Sequence, residues 1–390
     1  MNQKVLNRRN FFQLLAAGSV GSVILPGNIC IASGAIMNDD ERPFTNVGDA
    51  LKYPRTETSM PGRFPGAVVE TIHANCYKEG QIIAEAAHEM VKESLLTLTG
   101  KKSINDAWLM FVTPGEKIGL KVNPVAGKLL STSVEVVQAI VTQLKNAGIP
   151  ASDIVIWDRR KPQLEETGFT PENFPGTNIM GTEHKDENDS WYDENGDLHG
   201  LKMIDKKWYY FADVEGDYKE ETLPYMINQG KYSYFSKICT REVDKIINIP
   251  ILKNAGSTVT LCLKNLAYGA ISNTGRLHSK LWADTCAEVC AFPPLRDKVV
   301  LNIVDGIKGC YNGGPGANPQ FITNYNTVLA GTDPVAVDTI GYEIILKKRI
   351  EEKIQEVDLP RSRKFLEMAE ELGLGFTNPD KINHEKVELA

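Results

Sequence analysis

The chain has 390 residues, of which 42% are hydrophobic and 24% are charged, as in globular proteins that bury a substantial core. Its formal net charge of −7 argues against nucleic acid or an anionic membrane surface as a partner. No basic stripe interleaved with aromatic residues occurs, so the sequence gives no support to nucleic-acid binding.

The first 35 residues are typical of an export signal. The segment NRRNFFQL, which begins at Asn7, resembles the twin-arginine motif, and a mildly apolar run to Leu25 follows it. That run is shorter than the roughly 20 apolar residues of a membrane-spanning helix. The alternative is a buried N-terminal helix. We predict a signal peptide at 1–35, recognition by the twin-arginine translocase, and a periplasmic or otherwise exported protein with no stable membrane span after cleavage.

Six cysteines follow this segment, and their spacing is irregular. They are Cys76, Cys239, Cys262, Cys286, Cys290 and Cys310. No CxxC pair occurs, so the sequence gives no support to a four-cysteine zinc or iron–sulfur site. Cys286 and Cys290 lie one helical turn apart, where buried packing is favoured over a metal site shared with His278.

The first half of the chain predicts a linker or wrapping segment at 36–64 and then alternating strands and helices. The periodicity predicts a strand at Ala67–His73, a helix at Glu79–Thr97, a strand at Lys117–Val122, a helix at Val134–Asn146 and a strand at Asp153–Trp157. The segment from Ser131 to Ser133, followed by Glu135, resembles a capping box. The last three elements predict a right-handed βαβ unit with parallel strands.

The segment 183–237 differs in composition from its surroundings. It is rich in charged and aromatic residues, and Asn195-Gly196 is a favoured pair for a tight turn between antiparallel strands. Trp191-Tyr192 precedes this turn, and the aromatic run from Trp208 to Phe211 follows it. We therefore predict an inserted antiparallel hairpin region rather than a calcium loop, which requires a Gly and a Glu that are missing here.

The second half returns to the alternating pattern. It predicts strands at Val243–Ile251, Lys298–Val304 and Thr327–Ala330, helices at Asp284–Phe292, Val335–Lys348 and Arg363–Leu372, a glycine-rich loop at Gly306–Pro319 and a polar tail. Asp333 precedes Pro334, as expected at the start of a helix. The predicted fold is α/β, with a mainly parallel sheet flanked by helices and the inserted hairpin region. The predicted boundaries are 65–350 for the domain and 351–390 for the C-terminal helix and tail.

Four predicted strands end in polar residues, namely Asn123, Asp158, Lys253 and Asp305. Because parallel strands end at a common edge of the sheet, these side chains are expected to converge on a ligand site. Lysines and amides suit an anionic group such as a carboxylate or a phosphate. The predicted substrate-binding residues are Lys121, Asn123, Lys253, Thr260, Asn265, Arg276, Gly313 and Gly314.

Three further residues are candidates for chemistry, and two for a metal. His278 is the natural acid–base group near neutral pH, and Asp158 and Lys264 are the other catalytic candidates. Asp305 and Asp338 are candidate ligands of a divalent metal, although Asp338 can equally be a buried carboxylate paired with a lysine. The cofactor, if any, is not identified by the sequence.

The same motifs resemble those of the domain-of-unknown-function family 362 (DUF362). The matching segments are GLKVNP from Gly119, AG at Ala147, the strand end at Asp158, IPILK from Ile249, TLCLKNL from Thr260, RLH from Arg276, DG at Asp305 and TDPVAVD from Thr332. The resemblance spans roughly 65–350. It implies no established activity. Some relatives append ferredoxin-like cysteine motifs, which this chain lacks, and many have a histidine where this chain has Ala255.

Two functions are consistent with these observations. The first is an exported enzyme that acts on a small anionic substrate, with or without a divalent metal. In that case the lysines hold the anion and His278 serves as acid or base. The second is a non-catalytic accessory protein that holds a cofactor or a metal for an envelope redox system.

Overall fold

The computed structural model of this protein describes residues 42–216, 218, 223, 227–256, 258–355 and 360–390. The predicted signal peptide at 1–35 lies outside the described residues, as do the first residues of the predicted linker. None of the described helices is long and apolar enough to cross a membrane.

Helices and strands alternate along most of the described chain. The helices are α1 (Val47–Leu51), α2 (Ala84–Thr99), α3 (Ile104–Trp108), α4 (Val134–Asn146), α5 (Lys161–Glu166), α6 (Cys262–Ala270), α7 (Leu277–Lys280), α8 (Trp282–Glu288), α9 (Pro293–Arg296), α10 (Pro334–Glu351) and α11 (Pro360–Glu371). The strands are β1 (Ala67–His73), β2 (Tyr77–Lys78), β3 (Gln81–Ile82), β4 (Ile118–Lys121), β5 (Ile154–Arg160), β6 (Asn178–Glu183), β7 (Ile204–Phe211), β8 (Tyr232–Ser236), β9 (Lys245–Asn248), β10 (Ile251–Ala255), β11 (Thr258–Thr260), β12 (Val299–Cys310), β13 (Ile322–Thr323), β14 (Thr327–Gly331) and β15 (Asn383–Leu389).

The described strands form an 11-stranded mixed sheet and two small antiparallel hairpins. The main path of the sheet runs β15–β1–β14–β12–β9–β4–β5–β6. From β12 to β6 all neighbours are parallel, whereas β14 is antiparallel to both β1 and β12. Strand β10 pairs with β12 in parallel and with β11 in antiparallel orientation. The predicted α/β class, with a mainly parallel sheet flanked by helices, is confirmed.

Hydrophobic cores lie on both faces of this sheet because its strands alternate their side chains. On β5, Val155 and Trp157 belong to one core, and Ile154 and Ile156 belong to the other. The first core also contains the buried sides of α6, α8, α10 and α11. The second contains those of α2, α3 and α4. Burial on both faces explains why the central strands are continuous apolar runs.

The predicted βαβ unit is confirmed, but the capping box before its helix is wrong. Helix α4 has the predicted bounds, and β4 and β5 are parallel. The side chain of Ser133, the residue before the helix, makes no capping hydrogen bond to it. Its backbone N–H and hydroxyl both donate to the carboxylate of Asp305 on β12. Ser133 therefore donates to a carboxylate on a distant strand instead of accepting from the N–H groups of its own helix.

Two other predicted boundaries were wrong. The helix predicted from Glu79 begins at Ala84, because a short β2–β3 hairpin precedes it, with Glu79 and Gly80 at positive φ. The predicted loop at Gly306–Pro319 is strand as far as Cys310. A Cβ at Gly309 would lie 2.2 Å from the carbonyl oxygen of Leu252, so this glycine permits close approach of two strands.

The inserted region is antiparallel, but its strand partners differ from the predicted ones. A turn at Asn195-Gly196 connects only a single bridge between Tyr192 and Leu198. The aromatic strand β7 pairs with β8 instead. The predicted polar tail contains β15, which pairs in parallel with β1 at the sheet edge, because its alternating side chains suit a half-exposed strand.

Candidate functional site

A cavity of about 390 Å³ lies at the C-terminal ends of β4, β5 and β10. Helix α6 and residues 124–127 and 315–317 contribute to its lining. The polar side chains that line it are Asn123, Asp158, Arg159, Arg160, Gln163, Glu166, Lys253, Thr260, Lys264, Asn265, Tyr268 and His278. Seven of the residues predicted for the site therefore share one cavity, namely Asn123, Asp158, Lys253, Thr260, Lys264, Asn265 and His278.

Lys121 and Asp158 form a buried ion pair beside the cavity. The Lys121 Nζ lies 2.5 Å from Asp158 Oδ1 and also donates to Asn265 Oδ1 at 3.1 Å. Both residues are almost completely buried. Burial lowers the pKa of Lys121, while the adjacent Asp158 carboxylate opposes that shift. Lys121 itself does not line the cavity, so its role is to hold in position Asp158 and Asn265, which do line it.

A chain of amides connects this pair to the second buried lysine. Asn265 Oδ1 accepts from Asn123 Nδ2 at 3.0 Å, and Asn123 Oδ1 accepts from Lys253 Nζ at 3.0 Å. On the other side, Asn265 Nδ2 donates to Asn248 Oδ1 at 2.8 Å, and Asn248 Nδ2 donates to Asn302 Oδ1 at 2.9 Å. These bonds fix the orientation of each amide.

Asn248 and Asn302 were not predicted from the sequence to belong to this hydrogen-bonded series of amides. The available signal was a single asparagine beside the aliphatic run of each of two strands, Ile246-Ile247 in β9 and Val299–Leu301 in β12. A buried amide in an aliphatic strand requires polar partners, because leaving it unsatisfied costs roughly 1–3 kcal/mol.

Lys253 is buried, and no carboxylate pairs with it among the described residues. Its one hydrogen bond there is the bond to the neutral Asn123 amide. Burial and, next, the neighbouring Lys264 lower the pKa of Lys253 to about 7. An appreciable fraction of this amine is therefore uncharged at neutral pH.

Lys264 contributes a second cation to the cavity. Within the described part of the chain it makes no hydrogen bond or ion pair, and its Nζ lies 5.9 Å from the centre of the Tyr268 ring. Burial lowers its pKa. Arg159 contributes a third cation, which contacts Glu183 at 3.6 Å and donates to Tyr268 O and to the Thr274 hydroxyl. Arg159 was not among the residues predicted for the site, although it follows Asp158 directly.

His278 is half-buried and neutral at physiological pH. Its Nδ1 lies 3.0 Å from Thr274 O, and since a carbonyl only accepts, Nδ1 carries the proton and Nε2 is an acceptor. Burial, followed by the charges of Lys264 and Arg159, lowers the His278 pKa to about 3. The ring therefore meets a ligand as a neutral acceptor and a very weak base.

Thr260 is the cavity residue with an unused hydroxyl. Its Oγ1 is buried and has no hydrogen-bond partner. Thr260 is directly opposite Lys253 in the β10–β11 ladder, so the two side chains project from the same face. A buried hydroxyl without a partner is costly, and a ligand in the cavity can supply the missing hydrogen bond.

Arg276, Gly313 and Gly314 lie outside the cavity lining. Arg276 is buried and donates hydrogen bonds to the insertion and to β8, at Ala212 O, Val214 O, Lys231 O and Ser233 Oγ. Gly314 donates its N–H to Asn254 Oδ1, and a Cβ there would lie 1.7 Å from Asn254 O. The two glycines thus hold the adjacent lining residues 315–317 against the end of β10.

The two candidate metal ligands, Asp305 and Asp338, also lie outside the cavity lining. Their carboxylates already accept hydrogen bonds from the protein. Asp305 accepts from Ser133 and from Ile307 N, and burial raises its pKa. Asp338 accepts from the N–H groups of Cys262 and Leu263 at the start of α6, and burial raises its pKa to about 7. The described residues contain no group of three or more His, Cys, Asp or Glu arranged to hold a metal ion.

The comparisons with known proteins place the chain in a family without giving it an activity. No curated protein matches the sequence. The sequence model of the family described as "Domain of unknown function (DUF362)" matches residues 118–343, which is more than half of the chain and includes every residue that lines the cavity. This chain therefore belongs to the DUF362 family.

Proposed function

We propose that this protein is an enzyme that binds a small anion, a carboxylate or a phosphate, in the cavity. The observation that carries the proposal is that three cationic side chains, Lys253, Lys264 and Arg159, line one cavity, in addition to Arg160, which is paired with Glu183. The charge of Lys264 lowers the pKa of both Lys253 and His278. Such lowering by a neighbouring cation is expected where positive charge exceeds negative charge, and an anionic ligand relieves it.

In this proposal Lys264 and Arg159 hold the anion. Neither lysine of the cluster has a carboxylate partner among the described residues, so both ammonium groups are available to a ligand. Asp158 is different because Lys121 already neutralises it at 2.5 Å. It serves as an acceptor that orients the neutral part of the substrate, while Asn265 and Asn123 keep the pair in place.

The acid–base role passes from His278 to Lys253 in this proposal. A group acts best as a general acid or base when its pKa is near the working pH. The pKa of Lys253 is about 7, whereas that of His278 is about 3. His278 is then a hydrogen-bond acceptor through Nε2, and the cations hold the anion without a metal.

We further propose that residues 1–35 direct export by the twin-arginine translocase. The support is the arginine pair Arg8 and Arg9 before a short apolar run. Replacing both by lysine should leave the full-length precursor in the cytoplasm, whereas replacing Lys4 by arginine should not. Equal export of both variants would contradict the proposal.

Anion binding is tested by titrating the purified chain with inorganic phosphate and with a panel of small carboxylates, using calorimetry. Lys264→Gln should weaken the best ligand at least tenfold, because the ligand loses a partly desolvated charge. Lys347→Gln, on the exposed face of α10, is the matched control and should leave affinity unchanged.

Turnover of the bound anions separates the enzyme from the accessory protein. Chemical change of at least one ligand, slowed by Lys253→Met, supports the enzyme. Binding of an anion without any turnover in the panel favours the non-catalytic accessory protein. Absence of binding, or equal binding by Lys264→Gln, contradicts the anion site itself.

A further inference from the structure

We propose that Lys253 forms a Schiff base with the carbonyl carbon of a 2-oxo acid whose carboxylate is held by Lys264 and Arg159. The inference rests on the proposed anion site and names the substrate class for it. Two features of the structure carry it: the unpaired amine of Lys253 in the cavity, and the unpartnered hydroxyl of Thr260 beside it.

Lys253 differs from the other lysines of this region in what surrounds its amine. The Lys121 amine lies 2.5 Å from the Asp158 carboxylate, which occupies it. The Lys253 amine lies against the amide oxygen of Asn123 instead, in a buried position with Lys264 nearby. A lysine that is desolvated and close to another cation is the kind that reacts as a nucleophile.

The protonation state fits this role. With a pKa of about 7, Lys253 provides both the free amine that attacks a carbonyl and the ammonium that reforms afterwards. Burial also lowers the pKa of Lys264, but no second cation contributes to that shift. The cluster thus divides into one nucleophile and two anion-binding groups.

Thr260 supplies the hydroxyl that the addition step needs. It is the cross-strand partner of Lys253, and its Oγ1 is buried without a hydrogen-bond partner. Neighbours at such a position have their Cβ atoms about 4.5–5.5 Å apart, and both side chains line the cavity. In the proposed reaction this hydroxyl donates its hydrogen bond to the oxygen on the carbon that Lys253 attacks.

The reaction balances without an oxidant or a reductant. The neutral amine adds to the carbonyl carbon, and the carbonyl oxygen takes up a proton to give a carbinolamine. That hydroxyl then leaves with a second proton as water, and a C=N bond replaces the C–OH bond. The two hydrogens in the water come from the amine nitrogen, and one further proton converts the imine into the iminium ion.

The experiment adds sodium borohydride to the purified chain together with pyruvate, 2-oxobutyrate or 2-oxoglutarate, followed by peptide mass spectrometry. Hydride adds to the imine carbon and leaves a stable secondary amine. The peptide that contains Lys253 should then gain the mass of the 2-oxo acid less one oxygen atom. The corresponding 2-hydroxy acids, which have no carbonyl group, should give no adduct.

Three variants sharpen the outcome. Lys253→Met should abolish the adduct. Lys264→Gln should move the pH dependence of trapping to higher pH, because it removes a charge that lowers the Lys253 pKa. Lys347→Gln should trap like the unaltered chain. An adduct on Lys264 instead, or equal trapping by Lys253→Met, would overturn the inference.

The failure of this inference can be told apart from failure of the anion site. If 2-oxo and 2-hydroxy acids both bind in calorimetry and no adduct forms on Lys253, the Schiff base is wrong and the anion site stands. If no anion binds and no adduct forms, both are wrong.

Discussion

The two buried lysines of the cavity region lie in similar places and in opposite electrostatic environments. Lys121 ends β4 and Lys253 lies on β10, and neither exposes any surface. Lys121 is paired with a carboxylate at 2.5 Å, whereas Lys253 has only an amide oxygen at 3.0 Å. The amides of Asn123 and Asn265 connect them. One half of the network is therefore complete within the protein, and the other half lacks its counter-charge.

This contrast distinguishes support from function. A buried charge without a counter-charge lowers stability, so a protein gains little structurally from Lys253. Lys121 with Asp158, by comparison, is a closed pair, and removal of one partner leaves the other buried without its counter-charge. Substitutions on the two sides should therefore have opposite effects on stability, and the predictions below test that difference.

The largest loss of stability is expected from Asp158→Asn. The substitution keeps the shape of the side chain but leaves the ammonium of Lys121 buried without its counter-charge. Breaking a buried ion pair from one side costs about 3–5 kcal/mol of unfolding free energy. Urea denaturation at neutral pH measures the change. Asp213→Asn, which breaks an exposed pair with Lys231, should cost less than about 1 kcal/mol.

The second replacement on this side checks the cause of that loss. Adding Lys121→Met to Asp158→Asn removes the stranded charge, so the double variant should recover part of the lost stability. If it is no more stable than Asp158→Asn alone, the ion pair is not what holds this half of the network together.

Lys253→Met should raise stability in the absence of ligand, and the gain should depend on pH. Burial and Lys264 place the Lys253 pKa at about 7 in the folded chain, below the ordinary lysine value of 10.5. The unfolded chain therefore binds more protons between these two values, and the stability of the unaltered protein rises with pH across that window. The gain in unfolding free energy of Lys253→Met over the unaltered protein is largest below about pH 7 and shrinks towards about pH 10.

Urea denaturation of both proteins at several pH values measures this difference. Lys347→Met, at an exposed position, provides the control and should show no such pH dependence. A loss of stability for Lys253→Met at every pH would mean that the lysine is a structural support and would remove the contrast with Lys121.

Gly269→Ala should lower stability by about 1–3 kcal/mol, although alanine is the better helix former. A Cβ at this position in α6 would lie 2.2 Å from Lys121 Cε and 2.5 Å from its Nζ, so the lysine must move away from Asp158. Gly48→Ala in α1 is the matched control, because nothing lies within 4 Å of the added Cβ. Thermal unfolding should show a loss for the first variant and a gain for the second.

The sequence was sufficient to predict where the cavity lies but not how its charges are partnered. Strands that end in Asn123, Asp158 and Lys253 predict a common edge, because parallel strands align their ends. The partners of the charged side chains cannot be predicted in this way, because they depend on which strands and helices are neighbours in the folded chain. Nothing local indicates that Asp158 faces Lys121, or that the carboxylate of Asp305 is used by Ser133.

The errors in the fold have the same origin. The sequence predicted that Ser133 caps its own helix by accepting from a backbone N–H, whereas its hydroxyl donates to the Asp305 carboxylate on a distant strand. Gly306 and Gly309 were predicted to lie in a loop, whereas they permit close contact between neighbouring strands. Strand β15 has only two apolar residues, Val387 and Leu389, so its pairing with β1 rather than its composition identifies it.

The smallest effect on stability is expected from Thr260→Val, which keeps the shape of the side chain and removes the unpartnered hydroxyl. Because that hydroxyl has no hydrogen bond to lose, unfolding free energy should stay level or rise by up to about 1 kcal/mol. Thr71→Val is the control: its hydroxyl is bonded to Ser94 Oγ at 2.7 Å, so its loss should cost about 1–3 kcal/mol.

The same Thr260 variant should slow borohydride trapping at Lys253, since the developing carbinolamine loses its hydrogen-bond partner. Trapping at an unchanged rate, together with unchanged stability, would show that Thr260 contributes to neither the reaction nor the fold. Its unpartnered hydroxyl would then no longer distinguish the Lys253 side of the cavity from the Lys121 side, where the ion pair is complete.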